Sequence, residues 1–200
     1  MRSLALELKR KGLRLAVGGA RELYRVYGLL RELGLSGSVV LCEDGIKVPV
    51  RALASRHPKA TFACWLASQL VGSSSLTLGV DFGEKNIGVA AVVEGVVAYT
   101  GVLRSVAEVR ALAADLLELG FSLRVRLGYT GQNPFNAERV ATELQREGLQ
   151  VELVSEDEAR VGVLLGDFSF VGKLSQHEVS ALKIALSAAA LSASSGERYS

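Results

Sequence analysis

Residues 76–93 read LTLGVDFGEKNIGVAAVV, an apolar run, a short polar connection and a second apolar run. Side chains alternate between the two faces of a strand, so Leu78 and Val80 share one face and Asp81 lies on the other. The polar residues 83–86 supply turn chemistry before the second run begins. This stretch therefore predicts a β-hairpin at the centre of the fold.

Asp81 is the residue of this hairpin that most needs a partner. A carboxylate near the end of so apolar a strand is costly to bury unless a cation or hydrogen-bond donors compensate it. Two interpretations stay open at this point. Asp81 binds a metal ion or a nearby cation at a functional site, or it only accepts hydrogen bonds from turn amides.

The composition indicates an ordinary soluble globular protein. Apolar residues make up 49% of the chain and charged residues 22%, and no apolar run approaches the roughly 18 residues of a membrane-spanning helix. The first residues lack the apolar core of a signal peptide. Cys42 and Cys64 have no neighbouring cysteine or histidine partner, which argues against a disulfide framework or a zinc site. We expect a cytoplasmic protein without a membrane partner.

The chain changes character near residue 72, where the sequence GSSS forms the best linker candidate. Residues 1–72 contain twelve Lys and Arg against five Asp and Glu, whereas residues 73–200 contain eleven against sixteen. We predict a small basic α/β domain over residues 1–72 and a second domain over residues 73–200. The basic half either faces a polyanion such as nucleic acid, through residues such as Arg21 and Arg25, or simply attracts the acidic half.

The pattern of periodicities and caps predicts a mixed α/β architecture. In the first half we predict helices over residues 2–11, 20–33 and 60–70 and strands over 13–17, 38–42 and 46–50, the last two able to pair with each other. After the hairpin we predict strands over 96–104, 123–129 and 150–154, with helices over 106–119 and from Asn133 to 147, a short helix after Ser155, and a final helix from Ser175 to about 192.

Four motifs in this order resemble the ribonuclease H-like superfamily, and more narrowly its RuvC/YqgF branch. They are LGVDFGEKNIGVAAV (78–92), VRLGYTGQNPFNAERVATELQREG (125–148), VELVSEDEAR (151–160) and HEVSALKIAL (177–186). The resemblance covers roughly residues 76–192. It implies a ribonuclease H-like mixed sheet, preceded here by the small basic domain.

The resemblance also implies an activity, a cofactor and partners. In that family, carboxylates converge at one edge of the sheet and hold divalent metal ions, which activate water and neutralise the leaving oxygen in phosphodiester hydrolysis. Hard ions such as Mg²⁺ or Mn²⁺ take oxygen ligands. The expected function is therefore a metal-dependent nuclease acting on structured nucleic acid, a DNA junction or RNA, with a homodimer as one expected assembly.

Carried over position by position, the resemblance assigns site residues. The catalytic residues would be Asp81, Glu156 and His177; the metal ligands Asp81, Glu156, Asp157 and Glu178; and the nucleic-acid contacts Lys85, Arg21, Arg25 and Arg160. Two positions depart from the family pattern, because Gly128 and Ser180 stand where resolvases have acids. The acids in the first turns of helices are also favoured there by capping and by the helix dipole.

Two other functions remain open. A catalytically inactive nucleic-acid-binding or assembly module would keep the fold without the chemistry, and Ser180 favours it. A sugar-kinase or actin-type ATPase opens with a similar hairpin, but that family needs two such domains and this chain has one hairpin of this kind.

Overall fold

A computed structural model of the chain describes residues 2–83, 85–130, 134–156, 174–187 and 191–192, with segments 134–136 and 191–192 described by their backbone alone. The first elements are β1 (Arg2–Ser3), α1 (Leu4–Lys11), β2 (Arg14–Ala16), α2 (Ala20–Glu32), β3 (Val40–Leu41), β4 (Ile46–Lys47), α3 (Val50–Ala54) and α4 (Pro58–Val71). The later elements are β5 (Ser75–Phe82), β6 (Ile87–Val93), β7 (Val96–Leu103), α5 (Val106–Glu118), β8 (Ser122–Tyr129), α6 (Pro134–Arg146), β9 (Gln150–Ser155), α7 (Gln176–Leu186) and β10 (Leu191–Ser192). None of these helices combines the length and apolarity needed to cross a bilayer.

The main sheet is built from the predicted hairpin outward. Its strand order within the described residues is β1-β7-β6-β5-β8-β9-β10. Strands β5, β6 and β7 pair antiparallel, β8 adds to β5 in parallel, and β9 adds to β8 in parallel. The parallel strands follow the crossover helices α5 and α6, as parallel pairing requires. The predicted mixed α/β sheet, with a hairpin at its start and α-helical crossovers, is confirmed.

The two faces of the sheet are covered differently. One face carries a large apolar core in which Leu78 and Val80 of β5 pack with residues of α1, α4, α5 and α6. The other face contacts α7 through small side chains of β6 and α7, such as Ala90 and Ala181. Asp81 points to the α7 face, as the strand alternation predicted.

Three glycines let α7 lie unusually close to the sheet. They are Gly79 of β5, Gly88 of β6 and Gly128 of β8, on three adjacent strands. A Cβ atom at Gly79 would overlap the backbone of Ala181, and one at Gly88 would overlap the backbone of His177. Larger residues would lift the helix off the sheet. Because these three positions carry no side chain, α7 contacts the backbone of the sheet directly. His177, in the first turn of α7, lies over Gly88 near the beginning of β6.

The N-terminal residues join this sheet directly. The two residues of β1 pair in parallel with Val96 and Val97 of β7. One apolar core also runs from Leu8 of α1 and Phe62 of α4 into the sheet. The boundary at residue 72 stays a prediction, which expression of residues 73–200 alone would test.

The pairing predicted between strands 38–42 and 46–50 is wrong. Both β3 and β4 pair in parallel with β2, one on each side of it. The connection between them crosses β2 at Gly45, where a Cβ atom would overlap the backbone of Arg14 and Leu15. A glycine at this position allows the crossing, so a turn signal that looked like a hairpin leads instead over the middle strand.

Candidate functional site

The centre of the site is a contact between a strand carboxylate and a helix histidine. Asp81 is the next-to-last residue of β5, and only 6% of its surface is exposed. Its Oδ2 lies 2.8 Å from Nδ1 of His177, in the first turn of α7. In the described part of the turn after Asp81, the Gly83 N–H donates to the Asn86 carbonyl rather than to the carboxylate. The partner that Asp81 needs is therefore supplied by α7.

This contact determines which nitrogen of His177 carries the proton when the imidazole is neutral. An ionised carboxylate only accepts hydrogen bonds, so Nδ1 must donate to Asp81 and Nε2 keeps its lone pair. The ring lies over Gly83, where a Cβ atom would overlap it. No other described residue forms a hydrogen bond with Nε2 of His177, whose side chain is 37% exposed. Nε2 can thus accept a proton or bind an ion.

Glu156 approaches the same face of the sheet from β9. Its backbone N–H donates to the Tyr129 carbonyl at 3.0 Å, which extends the β8–β9 pairing by one residue. Its Oε1 lies 3.1 Å from the point that a Cβ atom on Gly128 would occupy. Strand β8 separates β9 from β5, so the glycine at the expected acid position leaves room for the Glu156 carboxylate beside the strand that carries Asp81.

Glu178 is engaged at the beginning of α7. Its Oε2 accepts hydrogen bonds from the N–H of Ser175 at 2.9 Å and from its Oγ at 2.8 Å, and Ser175 Oγ accepts from the Glu178 N–H. These bonds form a capping box at Ser175, where the final helix was predicted to begin. Glu178 also lines a cavity of about 490 Å³ with Tyr99 and Lys59. Burial raises the pKa of Tyr99, the Lys59 charge opposes that rise, and the Glu178 charge adds to it.

The remaining predicted site residues are dispersed or lie outside the described residues. Lys85 is exposed in the connection between β5 and β6, and Arg21 and Arg25 are exposed on α2. Asp157, Arg160 and the short helix predicted after Ser155 fall outside the described residues. The structure thus brings Asp81 together with His177, and it places Glu156 over the adjacent strand.

The side chains at this site are of types that bind divalent metal ions, but the described residues include few of them. Asp81 and Glu156 offer carboxylate oxygens, the ligands that Mg²⁺ and Mn²⁺ prefer, and His177 offers Nε2. Within the described ranges, no group of three or more His, Cys, Asp or Glu side chains is arranged to hold an ion. Asp157 and Glu158 follow Glu156 directly but fall beyond those ranges. The described residues therefore supply suitable types of ligand but no complete set for a metal ion.

Arg126 ties the C-terminal end of α7 to the sheet, although no role was predicted for it. Its Nη1 donates to the carbonyls of Ala185 (3.0 Å) and Ser187 at the end of α7, and its Nε pairs with Glu152 at 2.9 Å. Carbonyls at a helix C-terminus lack partners within the helix and favour a cation. In the sequence, the alternation of arginine with apolar residues in β8 was the feature that could have indicated this contact.

The chain is similar to several solved structures, at low sequence identity. No protein-family model and no curated protein sequence matches it. Among solved structures, T. thermophilus RuvC in complex with a Holliday junction substrate is similar at 17% identity and a TM-score of 0.41, over 55% of this chain and 90% of that one.

Two further solved structures are similar over part of the chain. Marinitoga piezophila Argonaute in complex with guide RNA and target DNA is 11% identical with a TM-score of 0.31, over 72% of this chain and 39% of that one. The Aquifex aeolicus PPX-GPPA enzyme is 16% identical with a TM-score of 0.30, over 42% and 37%. The fold rests on the strand order and register given above. That order agrees with the ribonuclease H-like sheet that the sequence resemblance implies.

Proposed function

We propose that this protein is a cytoplasmic nuclease that hydrolyses phosphodiester bonds in DNA or RNA at Asp81, His177 and Glu156, with Mg²⁺ or Mn²⁺ as cofactor. The observation that carries the proposal is the buried Asp81 carboxylate, bonded to His177 at the carboxyl end of the central strand β5. In open α/β sheets, ligands bind outside the carboxyl ends of the strands where the strand order reverses. Strand β5 is that point here, because β6 and β7 lie on one side of it and β8 and β9 on the other.

The chemistry of the two residues suits hydrolysis. Asp81 orients the imidazole of His177, as a carboxylate does for a catalytic histidine in other hydrolases. Nε2, with its lone pair facing away from Asp81, can take the proton of an attacking water molecule. The close packing of the ring on Gly83 limits its rotation. His177 is therefore held in one orientation before substrate binds.

The substrate would meet favourable electrostatics at this edge. The first turn of α7 lies beside Asp81, and those N–H groups of a helix N-terminus that the cap does not use attract phosphate. A bound divalent ion would neutralise phosphate charge and lower the pKa of a water molecule. Asp81 and Glu156 would hold that ion, and Lys85 in the adjacent connection would contact the nucleic-acid backbone.

A cleavage panel tests the proposal. Labelled four-way junction, RNA–DNA hybrid and single-stranded RNA are incubated with the protein in Mg²⁺, in Mn²⁺ and in chelator. The proposal expects cleavage of at least one substrate that requires the metal ion and falls strongly in Glu156→Gln, whereas Glu138→Gln, an exposed residue of α6, cuts at the wild-type rate. Glu178→Gln distinguishes a metal ligand from a helix cap, because loss of the cap alone lowers thermal stability and leaves the metal dependence unchanged.

A nucleic-acid-binding module without catalysis is the second candidate. Ser180 lies one helical turn after His177, where the family resemblance implies an aspartate, and the described residues complete no cluster of three ligands. This function would give binding in every condition of the panel and cleavage in none. A homodimer is compatible with both functions and stays a prediction that analytical ultracentrifugation would test.

A further inference from the structure

Helix α2 presents a face of aromatic and basic side chains to solvent. Tyr24 is 82% exposed and Tyr27 55% exposed, and Arg21, Arg25 and Arg31 are exposed beside them. Spacings of three and four residues place these five side chains on the side of the helix opposite its buried residues. We call Arg21, Tyr24, Arg25, Tyr27 and Arg31 the tyrosine–arginine face.

The positive charge of this face is not neutralised within the described structure. Both acidic residues of α2 are engaged away from the arginines: Glu22 Oε2 accepts from the Gly18 N–H at 2.7 Å, and Glu32 Oε2 pairs with Lys59 at 2.7 Å. In contrast, Arg21, Arg25 and Arg31 form no side-chain hydrogen bond or ion pair with another described residue. Three guanidinium groups therefore remain available to an anionic partner.

The surface beside the two rings is open. Gly28 lies one turn after Tyr24 and directly after Tyr27, and a Cβ atom at Gly28 would meet nothing within 4 Å. Among the described residues, no side chain therefore fills the space above Gly28, next to the two tyrosines. Open aromatic rings next to unpaired arginines are the combination by which proteins bind unstacked bases and their phosphates.

We propose that the tyrosine–arginine face binds single-stranded nucleic acid, with bases stacked on Tyr24 and Tyr27 and phosphates paired with Arg21, Arg25 and Arg31. This inference rests on the proposed function, which makes nucleic acid the ligand, and it adds that the bound strand is single. A duplex keeps its bases stacked on each other, so its phosphates would meet the arginines but its bases would not reach the rings. The excess of basic residues in 1–72, twelve against five acidic ones, favours a polyanion over a protein partner.

Fluorescence anisotropy with the full-length protein in chelator tests the inference without cleavage. The probes are a labelled thymidine oligonucleotide, a labelled uridine oligonucleotide and a blunt duplex of the same length. We expect the single strands to bind more tightly than the duplex. Tyr24→Ala should weaken single-strand binding by roughly five- to a hundredfold, since each stacked base contributes about that factor, whereas Tyr24→Phe keeps the ring and should bind nearly as the wild type.

The arginines are tested by the salt dependence of the same binding. Replacing Arg21 or Arg25 with Gln should lower the slope of log affinity against log salt by about 0.7 per lost phosphate contact. Arg146→Gln, an exposed arginine at the end of α6, is the matched control and should leave the slope unchanged.

Equal or tighter binding of the duplex, or single-strand binding unchanged in Tyr24→Ala and Tyr27→Ala, would overturn the inference. Failure of all probes to bind would also overturn it, and a change of oligomeric state in Tyr24→Ala would then assign the face to protein contact. Single-strand binding through these residues without metal-dependent cleavage in the panel would refute the nuclease and leave this inference standing. The opposite result is metal-dependent cleavage that the tyrosine variants do not alter, without a preference for single strands. It would support the nuclease and overturn this inference.

Discussion

Nδ1 of His177 lies 2.8 Å from Oδ2 of Asp81, which joins the first turn of α7 to the end of β5. The carboxylate is buried, and burying an ionised group is unfavourable unless a partner compensates it. This one contact therefore contributes to the docking of α7 as well as to the proposed chemistry.

Replacing His177 with Ala should destabilise the fold, because the Asp81 carboxylate would stay buried without its partner. We expect the free energy of unfolding to fall by about 1–3 kcal/mol, measured by urea denaturation at neutral pH. Gln176→Ala, an exposed neighbour in the same turn, is the matched control. In an Asp81→Asn background the same histidine substitution should cost less, and an equal cost in both backgrounds would argue against coupling of the pair.

A methyl group at Gly79 should separate α7 from the sheet. Its Cβ atom would overlap the carbonyl oxygen of Ala181, and a helix backbone cannot yield as a flexible side chain does. We expect Gly79→Ala to lower the free energy of unfolding by about 1–3 kcal/mol, the usual cost of overpacking. Gly28→Ala makes the same change in open space inside α2 and should stabilise the protein by about 0.5–1 kcal/mol. Effects of the same sign would contradict the close approach of α7.

Arg126→Met should loosen the end of α7, since two carbonyls would lose their donor and the methionine keeps much of the apolar stem. Arg124→Met is the control, because Arg124 pairs with the same Glu152 at 3.2 Å, has a side chain that is 49% exposed and contacts no α7 carbonyl. Hydrogen exchange of the α7 amides should accelerate in Arg126→Met and remain slow in Arg124→Met. Equal protection in the two variants would show that Arg126 does not hold the helix.

Glu7 should make stability depend on acid pH. Its buried carboxylate accepts from Arg10 at 3.0 Å and from Arg2 at 3.1 Å, and these hydrogen bonds, that of Arg10 foremost, lower its pKa below the ordinary value of 4.5 although burial opposes them. The stabilisation is therefore complete above the unfolded-state pKa and is lost as the pH falls through the lower folded-state value.

Urea denaturation of wild type and Glu7→Gln between about pH 3 and pH 7 measures this dependence. The wild type should be the more stable at neutral pH, and the difference should shrink below about pH 4.5. The exposed Glu138→Gln should show no such dependence. A difference that stays constant over the whole range would mean that Glu7 is not stabilised as a carboxylate.

Local patterns in the sequence were sufficient to predict most of the fold. The alternation in 76–93 gave β5, β6 and the face of Asp81, and the capping signal at Ser175 gave the beginning of α7. These features depend on residues that are close together in the chain. Hydrophobic periodicity and capping residues therefore predict them.

Contacts between distant segments were not predictable in the same way. A two-residue strand such as β1 has no periodicity, and its pairing with Val96 and Val97 depends on the packing of α1 and α4 on the sheet. The glycines are evident in the sequence, but only the packed structure shows that Gly79 and Gly88 accommodate α7. The direct bond between Asp81 and His177 likewise follows from that packing.

Single-turnover cleavage by Asp81→Asn beside the wild type, with Mg²⁺ or Mn²⁺ present and then chelated, tests the central claim most directly. Asparagine keeps the size of the side chain but removes the charge that would orient His177 and bind the ion. We predict metal-dependent cleavage by the wild type and a loss of about a hundredfold or more in the variant. Cleavage at the wild-type rate by Asp81→Asn, or wild-type binding without any cleavage, would contradict the assignment of this site as a nuclease centre.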